Sequence, residues 1–141
     1  MLEYQQKYLH LPESGGVLIG RVLTDSNNVV IDLVSEPCSH DKQKRFAFFR
    51  SNAHQDILTQ VWQKSNGTLN YLGEWHTHPE EHPTPSQTDF TNWNKKLKSK
   101  GIDTLFLYFI IIGTKSIGVW QGNMKNITIQ KMSLYDKSQT K

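Results

Sequence analysis

Cysteine is nearly absent from this chain: the one thiol, Cys38, excludes an internal disulfide framework and a cysteine-rich zinc centre. Long apolar runs are missing too. The longest, Leu105 to Ile112, is eight residues, against the roughly 20 that a membrane-spanning helix needs. The opening stretch MLEYQQKYLHLPESGG has no basic start followed by an apolar core, so no secretory signal is expected. Nor does a dense Lys/Arg run stand out. Sixteen basic against thirteen acidic residues leave +3, and Lys95, Lys96, Lys98 and Lys100 read as a solvated helix face. Nucleic acid and membrane are therefore not expected partners, and the chain reads as cytoplasmic.

What is present describes one packed globule. The 141 residues make a single domain's worth of chain, with four Trp, six Phe and five Tyr to build a core. GGVLIGRVL (15–23) and NVVIDLVS (28–35) are β-rich runs around TDSNN, a hairpin signal. KRFAFFR (44–50) reads as a third strand. Ile57, Leu58, Val61 and Trp62 recur at helical spacing before Asn66-Gly67, which predicts a helix near 52–65. TLNYLGEWHTH (68–78) reads as a strand, and TPSQTDFTNWNKKLKSKG as a helix with a start signature and a glycine stop. DTLFLYFIII, KSIGVWQG and KNITIQKMSL predict three further strands as a meander. The class is α+β, a mixed sheet flanked by two or three helices over residues 1–135, with a short polar tail at 136–141.

Chemistry concentrates in GEWHTHPEEHPTPSQTD, residues 73–89, where three histidines, four acids and three prolines share seventeen positions. Residues two apart on a strand face the same way, so His76 and His78 present two imidazoles side by side. Two histidines and one carboxylate suit a catalytic zinc with one position left for water, and Asp89 on the next helix is the natural third ligand. Ser86-x-x-Asp89 after a proline also reads as a capping box. The string His78-Pro79-Glu80-Glu81-His82 formally fits an inverted zincin motif, but Pro79, Pro83 and Pro85 deny it the helix that motif requires. His82 is then an exposed loop residue. Cys38 has no convincing partner in the sequence and reads as a buried or idle thiol.

His76-x-His78, ten residues and Asp89, with Pro79 after the second histidine and Ser86 three before the aspartate, resembles the JAMM (MPN+) metallopeptidase family. Glu13-Ser-Gly-Gly16-Val-Leu18-Ile-Gly20 resembles that family's upstream glutamate element. The match runs over about residues 10 to 135 and implies a single MPN/JAB-like domain. HQDILTQVW, GEWHTHPE and PTPSQTDFTNW are similar to the small JAB-type peptidases of CBASS anti-phage operons. That resemblance implies Zn²⁺ on His76, His78 and Asp89, Glu13 as general base and acid, and Ser86 steadying the oxyanion. The implied substrate is a protein conjugate, in which a nucleotidyltransferase C-terminal tail has been joined to a target by a ubiquitin-transfer-like system. Glu74, on the same strand face as the histidines, is the rival base. Trimming of a ubiquitin-like or sulfur-carrier tail, and a non-catalytic scaffold, are the alternative functions.

Overall fold

The computed structural model describes residues 1–134, so the polar tail expected at 136–141 lies outside the described residues. A short 3₁₀ turn (Leu2–Tyr4) leads into β1 (Gly15–Val22) and β2 (Val29–Val34). Two three-residue strands follow, β3 (Lys42–Lys44) and β4 (Ala47–Phe49), then helix α1 (Ala53–Lys64). Strand β5 (Asn70–Thr77), helix α2 (Gln87–Leu97) and strands β6 (Phe106–Ile112), β7 (Ile117–Asn123) and β8 (Thr128–Lys131) complete the domain.

Six strands form one mixed sheet in the order β2-β1-β5-β6-β7-β8. The expected β1–β2 hairpin and the β6–β7–β8 meander are both antiparallel neighbours within it. Only β5 and β6 run parallel, because α2 carries the chain back between them. The run 44–50 is not one strand. It contributes one arm and the turn of a separate hairpin, in which Lys42 faces Phe49 and Lys44 faces Ala47 around Arg45–Phe46. Helix α1 ends where Asn66 and Gly67 both take positive φ, the left-handed geometry that an Asn-Gly pair tolerates best.

The two faces of the sheet bury separate cores. Under α2, Trp93 and Leu97 pack on Leu107, Phe109, Ile111 and Trp120. Trp93 stacks on Phe109 at 4.6 Å between ring centroids and meets Phe90 edge-on at 5.7 Å. The opposite face buries Leu18, Trp75, Tyr108 and Ile112, with Met1 and Tyr4 of the N-terminal segment laid over it. Fully burying one such large apolar side chain stabilises by about 1.5–3 kcal/mol, so α2 is held to the sheet chiefly by Trp93 and Leu97. No helix among the described residues is long and apolar enough to cross a membrane.

The strand that carries the histidines is the third of six, bonded on both sides. His76 pairs with Gly15 of β1 and with Ile111 of β6. At Gly73 the backbone has φ 141°, and a Cβ there would lie 1.7 Å from the Tyr108 carbonyl oxygen. The β1–β5 register slips at this point, from Leu18 opposite Gly73 to Ile19 opposite Tyr71. This irregularity lets Tyr71 and Glu74, three residues apart, meet on one face.

Candidate metal centre

Three side chains converge at the end of β5. The Nε2 atoms of His76 and His78 lie 3.0 Å apart. His76 Nε2 is 3.2 Å from Asp89 Oδ1, and His78 Nε2 is 3.2 Å from Asp89 Oδ2. Both imidazoles are buried, as is Glu13. The Glu13 carboxylate approaches from the segment before β1, with Oε1 3.9 Å from His78 Nε2.

Local sequence accounts for each placement. His76 and His78 share a face because β5 alternates to its end, and the His78 N–H still donates to the Ile112 carbonyl (3.0 Å). Residues 79–82 form no helix, as the prolines require. This loop is instead strapped to the β6–β7 turn, with Thr114 N–H donating to Glu80 O and Lys115 N–H to Glu81 O. Ser86 caps α2 as expected. Its hydroxyl oxygen accepts from Asp89 N–H at 3.0 Å, while its own N–H donates to Asp89 Oδ2 at 2.8 Å. One helical turn separates Asp89 from Trp93, so both lie on the face of α2 that meets the sheet. The packing that anchors Trp93 therefore also aims Asp89 at the histidines.

The electrostatics fit a cation at the centre. Burial would raise the Asp89 carboxyl, but hydrogen bonds from His76 and His78 outweigh it and hold Asp89 well below the usual carboxylate range. Burial pushes the His76 imidazole down, favouring the neutral ring that a metal requires, against the pull of Asp89. His78 is raised, because Asp89, Glu80 and Glu13 outweigh its burial. His78 Nδ1 lies 2.9 Å from Glu80 Oε1, and a neutral ring that gives its Nδ1–H to that carboxylate turns Nε2 inward with a free lone pair for a metal. Bonds of about 2.0–2.1 Å to a tetrahedral ion set its ligand atoms roughly 3.3 Å apart, close to the spacings present here. The donor set fits Zn²⁺.

The centre opens into a cavity of about 440 Å³, lined by Glu13, Phe46, Phe48, Arg50, Ser86 and Asn92 among others. It is a groove rather than an enclosed pocket. Burial pushes the Glu13 carboxyl up to about 7, against the downward pull of His78 and with help from Asp89 and Glu80. Glu74 lines the same groove but is already engaged. Its Oε2 lies 3.1 Å from Arg50, and its Oε1 accepts from Tyr71 OH at 3.1 Å with Lys96 at 3.7 Å. His82 stays outside, exposed, with Nδ1 2.9 Å from Ser116 Oγ.

Sequence reasoning missed the surroundings of Cys38. The half-buried thiol has neighbours after all, because its sulfur lies within 4.8 Å of ligand-capable atoms of Asp41 and His54. It also missed Arg50 and Glu80. A basic residue at the end of β4 has no signal of its own, whereas Glu80, two beyond His78 and just past a proline, could have been read as the histidine's partner.

Comparison with known proteins gives a consistent picture. A family model described as prokaryotic homologues of the JAB domain matches residues 2–129. A Vibrio cholerae protein named CD-NTase/cGAS isopeptidase is 36% identical over 132 residues, covering 93% of this chain and 81% of that protein. An Escherichia coli protein of the same name is 36% identical, covering 92% of this chain and 78% of its own length. Among solved structures, a Desulfitobacterium hafniense protein superposes with a TM-score of 0.54 at 19% identity, over 92% of this chain and 80% of that one. That last likeness concerns the fold alone.

Proposed function

The chain belongs to the family of prokaryotic JAB-domain homologues, and from that membership we propose that it is a zinc-dependent isopeptidase. Its substrate is a conjugate in which the C-terminal tail of a CD-NTase is joined by an amide to a target protein, and its setting is CBASS anti-phage defence in the cytoplasm. The relatives named for that activity support the substrate class. The observation that carries the chemistry is the pair of imidazole Nε2 atoms 3.0 Å apart, each 3.2 Å from an oxygen of Asp89, open to a groove and faced by a second carboxylate.

His76, His78 and Asp89 would hold the metal. Zn²⁺ in such a site supplies a water acidified from pKa 15.7 towards roughly 7 and polarises a carbonyl oxygen. Glu13 takes a proton from the attacking water and returns it to the leaving amine, so the amide C–N bond breaks to a tail carboxylate and a free amine. Burial raises the Glu13 carboxyl towards the range in which it can both take up and give back a proton, and a bound cation would oppose that rise. Ser86 acts at the carbonyl oxygen. Its oxygen is occupied by Asp89 N–H, so its own hydrogen is free to donate as negative charge grows. The groove suits an extended tail, held by main-chain hydrogen bonds and a few side-chain subsites.

A CD-NTase C-terminal tail fused to a reporter protein, incubated with the enzyme and followed by intact mass, tests this reading. The expected product is a cut after the tail's last residue, abolished by a chelator and restored by Zn²⁺. Cleavage of ubiquitin chains without any cut of the fusion would overturn the CD-NTase assignment. Binding of the fusion without cleavage, metal supplied, would overturn the hydrolase reading.

A further inference from the structure

Glu13 precedes the sheet rather than belonging to it, so something other than strand pairing must fix its carboxylate. Its N–H donates to Lys44 O at 2.7 Å, and its carbonyl accepts from Gln43 Nε2 at 3.2 Å. Both partners sit on β3, whose three side chains are all exposed. A two-stranded hairpin of this kind is marginal by itself and makes a poor reference point for a catalytic group.

A buried chain of hydrogen bonds supplies a better one. Thr77 stands between His76 and His78, with its side chain on the opposite face of β5, and is fully buried. Its hydroxyl oxygen accepts from Ser14 N–H at 3.0 Å, and its hydrogen is donated to Gln6 Oε1 at 3.0 Å. Thr77 N–H in turn donates to Ser14 O at 2.9 Å. Gln6, 3% exposed, spends its amide hydrogens on Leu11 O (3.1 Å) and Arg45 O (2.8 Å). One glutamine thus ties the segment leading to Glu13, the turn of the β3–β4 hairpin and the strand bearing the histidines. Every side-chain polar atom of Gln6, Ser14 and Thr77 has a partner, which is the condition under which a buried network rigidifies its surroundings.

We propose that Thr77 and Gln6 are positioning residues that hold the Glu13 carboxylate at its distance from the His76–His78–Asp89 centre. This inference rests on the role given to Glu13 above. Neither residue touches the groove. Their effect runs through the backbone of residues 13 and 14, so loss of the network lets Glu13 drift while the metal ligands keep their own supports, the β1 and β6 pairings and the α2 cap.

The test is a double-mutant cycle between Thr77→Val and Glu13→Gln on the full chain, with the tail–reporter fusion as substrate and zinc content measured for each protein. Thr77→Val is nearly isosteric and deletes only the hydroxyl. Displacing a reacting group by about 1 Å can cost 10²-fold, so a fall in kcat of roughly 10- to 100-fold is expected, with KM and zinc content unchanged. Thr77→Ser should restore most of the rate. In the Glu13→Gln background, Thr77→Val should cost nothing further, because the group it positions is gone. Equal losses in both backgrounds, or loss of zinc, would show a general structural role and overturn the inference. Glu13→Gln turning over at the wild-type rate would remove the Glu13 role and this inference with it. Gln6→Met, which keeps length and loses the acceptor, should reproduce the pattern from outside β5 and covers the case in which Thr77→Val does not fold.

Discussion

Two clusters in this domain are built from histidine and aspartate, and they are chemically opposite. Around His54 both ring nitrogens and both Asp41 oxygens are matched, and of the neighbouring side chains only the Ser51 hydroxyl lacks a partner. Ser35 Oγ accepts from Val17 N–H at 2.8 Å and lies 2.7 Å from His54 Nδ1, and His54 Nε2 lies 2.7 Å from Asp41 Oδ2. Asp41 also accepts from the N–H groups of Cys38 and Ser51, both at 2.7 Å. At the groove, by contrast, two imidazole Nε2 atoms and both oxygens of one carboxylate converge within 3.2 Å. A neutral His78 that gives its Nδ1–H to Glu80 has no hydrogen left for Asp89. The centre therefore closes only by taking up a further proton or a cation.

Residue type alone therefore does not identify a metal centre; the balance of donors to acceptors does. The spacing agrees. A 2.7 Å contact between His54 and Asp41 is a hydrogen bond and too short for two ligands of one tetrahedral ion, whereas 3.2 Å at the groove is close to the ligand–ligand distance. The first cluster closes the end of β2 against the start of α1, and the second faces solvent and substrate.

The comparison breaks most visibly through the metal. Protein purified without added metal should carry about one Zn²⁺ per chain, and a His76→Ala/His78→Ala double variant should carry almost none and cleave nothing. His54→Leu should keep its zinc while losing stability. Elemental analysis of the three proteins separates the clusters, and equal zinc in wild type and the double variant would end the metal assignment.

The next effect concerns the acids of the groove. Glu13→Gln should keep zinc and lose about 10²–10⁴ in turnover, whereas Glu74→Gln should retain most activity. The base works only when ionised. Burial raises the Glu13 carboxyl and a bound cation would pull it back down, so kcat/KM should rise with pH along an acid limb that lies lower in the zinc-loaded enzyme than burial alone would set, and Glu13→Gln should flatten this limb. A dead Glu74→Gln beside an active Glu13→Gln would transfer the role to Glu74.

Much of the groove was legible because its signals are local. His76-x-His78 at a strand end, the proline that stops the strand and the Ser86–Asp89 cap each lie within a few residues, and each stands where the sequence put it. The closed cluster was invisible for the opposite reason. Ser35, Asp41 and His54 come from a strand end, a loop and a helix start, and no spacing rule joins them. Gln6 sits in a polar stretch that looks solvated yet is 3% exposed. The β3–β4 hairpin escaped because its two-residue turn, Arg45–Phe46, carries none of the Gly, Asn or Asp that usually mark such turns. Alternation correctly gave Glu74 the histidines' face, but Arg50 and Lys96, which occupy it, come from elsewhere in the chain.

Asp41 gives a smaller effect with a defined sign. Burial would raise its carboxyl, but hydrogen bonds from Cys38, Ser51 and His54 outweigh it and bring it down to about 2. A depressed carboxylate contributes stability that is present above its unfolded value, near 4, and is lost as pH falls towards 2. Asp41→Asn should thus lower stability by about 2–4 kcal/mol at neutral pH, the range for breaking a buried polar network, and the deficit should shrink in acid. Denaturant melts at pH 7 and pH 3 measure it, and a deficit that grew in acid would contradict the network as described.

Cys38→Ser is the smallest change and the sharpest check on the contrast. The thiol completes a Cys–Asp–His trio of the kind that binds zinc elsewhere, so composition alone would count two metal sites in this chain. Its chemistry argues otherwise. Burial and the neighbouring Asp41 charge push the Cys38 thiol up, away from the thiolate a metal needs, and its S–H donates to the Glu36 carbonyl at 3.4 Å. Asp41 and His54 would also have to surrender their mutual hydrogen bond before either could turn to an ion. Cys38→Ser should therefore leave zinc at one per chain, leave turnover unchanged, and move stability by no more than about 0.5 kcal/mol, as for an ordinary surface substitution. A Co²⁺-loaded wild type should show no thiolate charge-transfer band. Such a band, lost in Cys38→Ser together with half the bound metal, would mean that the matched cluster opens to hold an ion, and donor–acceptor balance would no longer distinguish the two.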